Sequence, residues 1–124
     1  MPVRTALIVD DEISVRRYVK FVLEGEEMAT IEADNGVDAL RLLVERDGRI
    51  DIIVSDVRMP QGDGLTFARA AQRLYPKTPI LLISGFVDGL RPERPVEFEF
   101  LEKPFRAGML VARVRKLLPQ SHAS

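Results

Sequence analysis

Five short apolar segments, separated by stretches with helical spacing, limit how this chain can fold more than any other feature of its sequence. The segments are Thr5–Val9, Met28–Ala33, Ile50–Ser55, Pro79–Ser84 and Phe98–Leu101. The first, third and fourth contain the unbroken apolar runs ALIV, IIV and ILLI, which are typical of strands covered on both faces in a parallel sheet. The second and fifth alternate apolar and polar residues, which indicates edge or half-exposed strands.

The stretches between these strands carry apolar residues at helical spacing. The sets are Val15, Val19 and Val22; Val37, Leu40 and Val44; Phe67, Ala70, Ala71 and Leu74; and Leu110, Val114, Leu117 and Leu118. Each set would lie on one face of a helix, because residues three or four positions apart are neighbours there. A strand–helix alternation sustained along the chain predicts an α/β fold: a three-layer sandwich with a parallel sheet and right-handed crossovers.

The crossover between the fourth and fifth strands departs from this regularity. The segment Gly85–Phe98 contains two glycines and two prolines, and each proline removes a helical donor and disfavours helix at the preceding residue. We therefore predict a short or distorted fourth helix. Residues 120–124 are small and polar, so we predict one domain over residues 1–119 and a flexible tail over 120–124.

Length and charge exclude several classes of function. The chain has 124 residues, the size of one ordinary domain, and its net charge of −1 lacks the basic excess of a nucleic-acid-binding domain. There is no cysteine, which excludes disulfides and thiol chemistry, and no apolar run approaches the length of a membrane span. We expect a cytoplasmic domain, a monomer or weak dimer, with no nucleic-acid or membrane partner.

Polar side chains collect where the predicted strands end. Asp10 and Asp11 follow the first strand, Asp56 follows the third, Ser84 ends the fourth and Lys103 follows the fifth. If the strand order is 2-1-3-4-5, these ends converge on one rim of the sheet, where open parallel sheets place their sites. Taken singly, each residue also has a structural interpretation: a helix cap, a turn residue or a surface lysine.

The residues taken together point to phosphoryl transfer. Three neighbouring carboxylates repel one another and raise one another's pKa values unless cations compensate. Mg²⁺ prefers such hard oxygen ligands, and a metal ion with a lysine can stabilise the charge of a transferring phosphoryl group. An ionised aspartate can attack without a general base, and the chain's one histidine, His122, lies in the predicted tail.

The motifs LIVDDE, ADNGVDAL, DIIVSDVRMPQGDGL, PILLISG and FLEKPF, in this order, resemble the receiver domain of two-component response regulators. The resemblance runs from about Thr5 to Leu118 and implies a flavodoxin-like (βα)5 sandwich with strand order 2-1-3-4-5. It implies that Asp56 is the phosphorylated residue. It further implies that Mg²⁺ is bound by Asp11, Asp56 and the backbone carbonyl of Arg58, and by Asp10 through water.

The resemblance also assigns roles to the fourth and fifth strands. Lys103 would pair with Asp56 or the phosphoryl group, and its bond to Pro104 is often cis in the family. Ser84 would donate a hydrogen bond to a phosphoryl oxygen. Phe100 stands where the family has an aromatic residue that rotates inward on activation, and plain core packing is the alternative for this residue.

The implied function is a signalling switch that accepts a phosphoryl group from a histidine kinase or a histidine phosphotransfer protein. The proline-bearing crossover is more similar to receivers that stand alone or are attached to hybrid kinases. One alternative is a receiver-like docking module that is not phosphorylated. An aspartate-nucleophile phosphatase of the haloacid dehalogenase type is disfavoured, because Arg58 occupies the position of that family's second aspartate and 124 residues leave no room for a cap domain.

Overall fold

The computed structural model describes residues 3–59, 64–85 and 95–119, and these ranges contain five strands and four helices. The strands are β1 (Thr5–Val9), β2 (Ala29–Ala33), β3 (Ile52–Asp56), β4 (Ile80–Ser84) and β5 (Glu99–Glu102). The helices are α1 (Ile13–Glu24), α2 (Gly36–Glu45), α3 (Gly64–Leu74) and α4 (Ala107–Leu117). All strand pairs are parallel and the sheet order is β2-β1-β3-β4-β5, which confirms the predicted fold class and topology.

The central strands are buried on both faces, as their continuous apolar runs predict. Every residue of β3 and β4 is buried, whereas the edge strands β2 and β5 are mostly half-buried. Helices α2 and α3 pack together on one face of the sheet, and α1 and α4 pack on the other. The sheet thus separates two apolar cores, one beneath each pair of helices.

The strand register brings the carboxyl ends of the four neighbouring strands to one level. Val9 pairs with Ser55, so the residues that follow them, at positions 10 and 56, lie side by side. Asp56 pairs with Ile83, and Ser84 pairs with Glu102. Asp10, Asp56, Ser84 and Lys103 therefore meet at one rim, as the sequence predicts for this strand order.

The predicted inward face of α2 is wrong by one residue. Val37 and Val44 are 66% and 53% exposed, Leu40 is half-buried and packs against the core as predicted, and the buried residues are Gly36, Ala39 and Leu43. Both sets have the same spacing, so periodicity could not choose between them. Ala39 and Leu43 belong to the core beneath α2 and α3, so packing and not spacing decides which face of the helix is buried. In α3, likewise, Phe67 and Ala71 are buried as predicted, but Leu74 is 53% exposed.

Some predicted features fall outside the described residues. The short or distorted helix that we predict between β4 and β5 would fall mainly on residues 86–94, and the predicted tail is residues 120–124. Pro60 and Gly62, which shape the predicted loop after β3, are also outside them. Among the residues that the structure does describe, no helix is long and apolar enough to span a membrane.

Gly48, which follows α2, gives a stability prediction. Its φ is +71°, and an added Cβ would lie 2.3 Å from Cδ1 of Tyr75. Gly48→Ala should lower the free energy of unfolding by about 2 kcal/mol or more, from the left-handed backbone and from the clash.

The matched control is Gly108→Ala in α4, where an added Cβ meets no atom within 4 Å. That change should raise the free energy of unfolding by up to about 1 kcal/mol, because alanine favours helix. Urea unfolding of both variants checks the pair, and equal effects of the two substitutions would contradict the prediction.

Candidate acidic site at the carboxyl end of the sheet

Asp10 lies in a hydrogen-bonded turn between β1 and α1. Its backbone N–H donates to the carbonyl of Ala33 at 3.1 Å, and its carboxylate accepts from the N–H of Glu12 at 2.9 Å. Only 2% of its surface is exposed. The N-cap of α1 is Glu12, which makes no side-chain capping bond. The capping interpretation of Asp10 and Asp11 is therefore wrong, and both carboxylates stay available to the site.

Asp56, the last residue of β3, is the centre of the rim. It is buried, and its carboxylate accepts from the backbone N–H of Arg58 at 3.4 Å and from Nζ of Lys103 at 3.3 Å. Burial raises the pKa of this carboxyl above its ordinary value, while Lys103 and the backbone amides oppose the rise. Burial thus favours the neutral form of Asp56, and the neighbouring Lys103 ammonium favours the charged form.

Asp10, Asp11 and Asp56 together form a group that could hold a metal ion. One carboxylate oxygen from each residue lies within 4.8 Å of the others, with Asp10 and Asp56 buried and Asp11 exposed. The donors are all oxygen, which suits a hard divalent cation, and an exposed ligand leaves a route for solvent and ion. The residues present therefore fit the metal that the resemblance implies.

Lys103 follows β5, which lies on the opposite side of β3 from β1 and Asp10. Its backbone N–H donates to the carbonyl of Ser84 at 2.7 Å, and its side chain is one-quarter exposed. The Lys103–Pro104 peptide bond is cis, in agreement with the expectation from the resemblance. The ammonium reaches Asp56 at an ion-pair distance and is not directed to bulk solvent.

Ser84 is 1% exposed, and its Oγ has no hydrogen-bond partner among the described residues. A buried hydroxyl without a partner is unusual, because such a group loses its hydrogen bonds to water. Its position at the end of β4, beside the strand that carries Asp56, makes it a donor available to a ligand at the rim.

Phe100 and Arg58 are less fully defined by the structure than the other candidates. Phe100 is half-buried and packs against the core beneath α2 and α3, and its carbonyl accepts from Arg113 at 2.6 Å. This packing fits the structural alternative for Phe100, and the switching role stays a prediction. Arg58 contributes its backbone N–H to Asp56, and the predicted metal contact of its carbonyl also stays a prediction.

Sequence reasoning missed two residues that support the site. Ser55 is fully buried, and its hydroxyl donates to the carbonyl of Asp56 at 3.0 Å. Arg16 donates to the carbonyl of Asp10 at 2.8 Å. Both side chains donate to backbone carbonyls. The signal available in the sequence was a polar residue in an otherwise apolar strand, for Ser55, or next to the apolar positions of a helix, for Arg16.

The buried Asp10 gives a pH prediction. Burial is the main reason why the pKa of its carboxyl is raised from 3.8 to about 6, and the nearby charges of Asp56 and Asp11 add to the rise. Because the folded state binds the proton more tightly, the stability contributed by this carboxyl is present below pH 3.8 and lost as pH rises through about 6. The shift corresponds to roughly 3 kcal/mol at most.

In metal-free buffer above pH 6, the free energy of unfolding of Asp10→Asn should therefore exceed that of the original protein by about 1–3 kcal/mol. The asparagine can still accept from Glu12. The gain should vanish near pH 4, where Asp10 is mostly protonated in the folded state. Chemical unfolding at pH 4 and pH 8 measures both values, and an equal gain at the two pH values would refute the explanation.

A comparison with family models matches residues 6–115 to the response regulator receiver domain. The chain belongs to this family. It is therefore a receiver domain of two-component signalling. The phosphatase alternative is not favoured.

Among its relatives is the sensor kinase CckA of Brucella abortus (strain 2308), 36% identical over 117 residues, which are 92% of this chain and 12% of that protein. The transcriptional regulatory protein CpxR of Escherichia coli (strain K12) is 34% identical, over 95% of this chain and 50% of that protein. This receiver domain thus spans half or less of the length of these two relatives.

Solved structures agree with the family. The receiver domain from the hybrid histidine kinase CckA is 33% identical, with a TM-score of 0.79 over 93% of this chain and 99% of that one. The chemotaxis protein CheY4 of Vibrio cholerae is 28% identical, with a TM-score of 0.79 over 94% of this chain and 100% of that one. Receiver domains of different signalling proteins therefore share the fold described above.

Proposed function

We propose that Asp56 accepts a phosphoryl group from a phosphohistidine donor and that Mg²⁺ is required for the transfer. The main support is the meeting of four charged side chains at one rim. The Asp56 carboxylate is 3.3 Å from the Lys103 ammonium and belongs to the same 4.8 Å group of oxygens as Asp10 and Asp11. These residues come from three separate parts of the chain, so the fold itself assembles the site.

In the proposed reaction a carboxylate oxygen of Asp56 attacks the phosphorus atom of phosphohistidine. The phosphorus–nitrogen bond breaks, the imidazole nitrogen keeps the electron pair and takes up a proton from solvent, and an aspartyl phosphate forms. No general base is needed, because the nucleophile is already ionised. Lys103 and the N–H of Arg58 favour this ionised form, since both donate to the Asp56 carboxylate.

Asp11, Asp56 and the carbonyl of Arg58 would hold Mg²⁺ directly, and Asp10 would hold it through water. When bound, the ion supplies positive charge beside the phosphoryl oxygens and offsets the repulsion among the carboxylates. Lys103 adds a second cation, and it can move its hydrogen bond from Asp56 to a phosphoryl oxygen without leaving the rim.

Ser84 supports the switch that follows transfer. Its buried Oγ has no partner among the described residues, so a phosphoryl oxygen on Asp56 would offer it a hydrogen bond that the unphosphorylated state does not. This difference, with the packing of Phe100, would bias two conformations near β5. A differential stability of a few kcal/mol is sufficient for such a switch.

The donor class follows from the relatives. CckA of Brucella abortus is a sensor kinase, and the similar solved receiver comes from a hybrid histidine kinase. We infer a histidine kinase or histidine phosphotransfer protein as the partner. The net charge of −1 argues against direct nucleic-acid binding by this domain, which we infer to act in the cytoplasm as a monomer or weak dimer.

Intact-protein mass spectrometry after incubation with a small acyl phosphate tests the proposal. With Mg²⁺ the protein should gain the mass of one phosphoryl group, and a chelator should prevent the gain. Slow loss of the group in Mg²⁺ buffer should follow, because water can attack the same phosphorus. Failure to gain the group under any of these conditions would favour the docking-module alternative.

A further inference from the structure

Arg16 on α1 connects the acidic turn to the neighbouring edge strand. Its Nη1 donates to the backbone carbonyl of Asp10 at 2.8 Å, and its Nε donates to Oε1 of Glu32 on β2 at 2.9 Å. The side chain is 15% exposed although it carries a full charge. A guanidinium that is only 15% exposed and has two different acceptors is a fixed connection and not a solvated surface charge.

Hydrogen bonds hold both backbone polar groups of Asp10. The N–H of Asp10 donates to Ala33 on β2, and its carbonyl accepts from Arg16. The N–H of Arg16 also donates to the carbonyl of Glu12 at 3.0 Å. The side chain of Arg16 therefore holds the Asp10 end of the turn formed by residues 10–12 and is itself anchored on β2, whereas the Glu12 end is held by the backbone of Arg16.

This anchoring opposes a force that acts within the site. Asp10, Asp11 and Asp56 present like charges within 4.8 Å, and their repulsion favours movement of the turn away from β3. Arg16 touches the carbonyl of Asp10 and not its carboxylate, so it can resist this movement without neutralising a ligand.

We propose that Arg16 is a positioning residue for the metal site, which fixes the backbone of residues 10–12 so that Asp10 and Asp11 remain beside Asp56. The inference rests on the proposed function, because it concerns Mg²⁺ binding at the same rim. Arginine suits the role better than lysine, because its planar fork reaches Asp10 and Glu32 at once, whereas an ammonium on a flexible stem is a point charge.

Isothermal titration calorimetry with Mg²⁺ on the full chain tests this role. Arg16→Ala should weaken Mg²⁺ binding about 10-fold or more, the size of effect seen when a partner of a metal ligand is removed. Arg16→Lys should give an intermediate loss. Arg17→Ala is the matched control, since Arg17 is the exposed neighbour on the same helix, and it should bind Mg²⁺ as the original protein does.

Circular dichroism separates positioning from folding. Affinities are compared at a temperature where each variant is fully folded. If the role of Arg16 were purely structural, Arg16→Ala would have a lower melting temperature but an unchanged Kd for Mg²⁺. If Arg16→Ala does not fold, Glu32→Ala replaces it, because this change removes the anchor on β2 and leaves the bond to Asp10. Weaker binding by this variant, with normal folding, supports the role.

Two results would overturn the inference about Arg16 alone, and a third would overturn the proposed function as well. Unchanged affinity in folded Arg16→Ala, or an equal loss in Arg17→Ala, would show that Arg16 does not position the ligands. If the original protein itself does not bind Mg²⁺, the proposed function fails, and the inference fails with it. The affinity of the original protein is therefore measured first.

Discussion

Asp56→Asn is expected to abolish phosphoryl incorporation from a small acyl phosphate in the presence of Mg²⁺. The amide keeps the shape of the side chain but lacks the charged nucleophile, and it weakens the metal site because a neutral oxygen replaces a carboxylate. Intact-protein mass spectrometry measures the loss against the original protein under the same conditions.

Asp51→Asn is the control for this experiment. Asp51 immediately precedes the same strand, β3, at the opposite end, where it is exposed and accepts from the N–H of Thr5 at 2.7 Å. An asparagine can still accept that bond, so phosphorylation should be unchanged. Undiminished incorporation in Asp56→Asn would refute the assignment of the phosphoacceptor, and a loss in both variants would indicate a general effect on the fold.

Gly64→Ala is expected to give the largest loss of stability among single small substitutions near the site. An added Cβ would lie 1.9 Å from the carbonyl oxygen of Asp56 and 2.8 Å from Cα of Val57. Both obstacles are backbone atoms of the segment that carries Asp56, and the N–H of Gly64 donates to the carbonyl of Val57 at 2.7 Å. Relief of the clash requires α3 to move away from β3.

We expect the free energy of unfolding to fall by about 3 kcal/mol, the upper part of the usual range for overpacking. Gly85→Ala is the control, because its added Cβ would lie 3.5 Å from Cβ of Lys103 and 3.7 Å from its Cδ, which are ordinary contact distances. Urea unfolding should show a loss below about 1 kcal/mol for this variant. A loss in Gly85→Ala as large as that in Gly64→Ala would contradict the steric explanation.

The strands and the rim were predictable because each rests on a strong local signal. Continuous apolar runs occur in buried parallel strands, and the structure places all five strands within two residues of the predicted bounds. Once the strand order is known, the chain positions of Asp10, Asp56, Ser84 and Lys103 determine that they meet. Their convergence follows from topology and needs no knowledge of side-chain detail.

The face of α2 was not predictable from spacing, because the predicted set Val37, Leu40 and Val44 has the same spacing as the buried set Gly36, Ala39 and Leu43. The helix begins after Asn35, whose side chain accepts from the N–H of Asp38 at 2.8 Å. Ala39 and Leu43 then enter the core beneath α2 and α3. The rotation of the helix therefore depends on the surfaces that it meets, which the spacing does not describe.

The contacts of the supporting residues could not be derived from sequence patterns. Arg16 acts through two acceptors, the carbonyl of Asp10 and the carboxylate of Glu32, and Gly64 is needed because α3 begins against the backbone of Asp56. The sequence offers an arginine next to the apolar positions of α1 and a glycine at the start of α3, but it does not identify the contacts that each one makes. Both depend on distances that exist only once β1, β2 and β3 are aligned.

A Mg²⁺ titration of the ¹⁵N-labelled protein, followed by two-dimensional NMR, tests the central claim most directly. If the three carboxylates share one cation, the amide signals of Asp11, Glu12, Val57 and Arg58 should shift together and saturate at one stoichiometric equivalent. The same signals should be insensitive to Mg²⁺ in Asp11→Asn at the same concentrations. Shifts confined to Asp34 and Asp38, two acids outside the proposed site, or no saturable shift at all, would contradict the account.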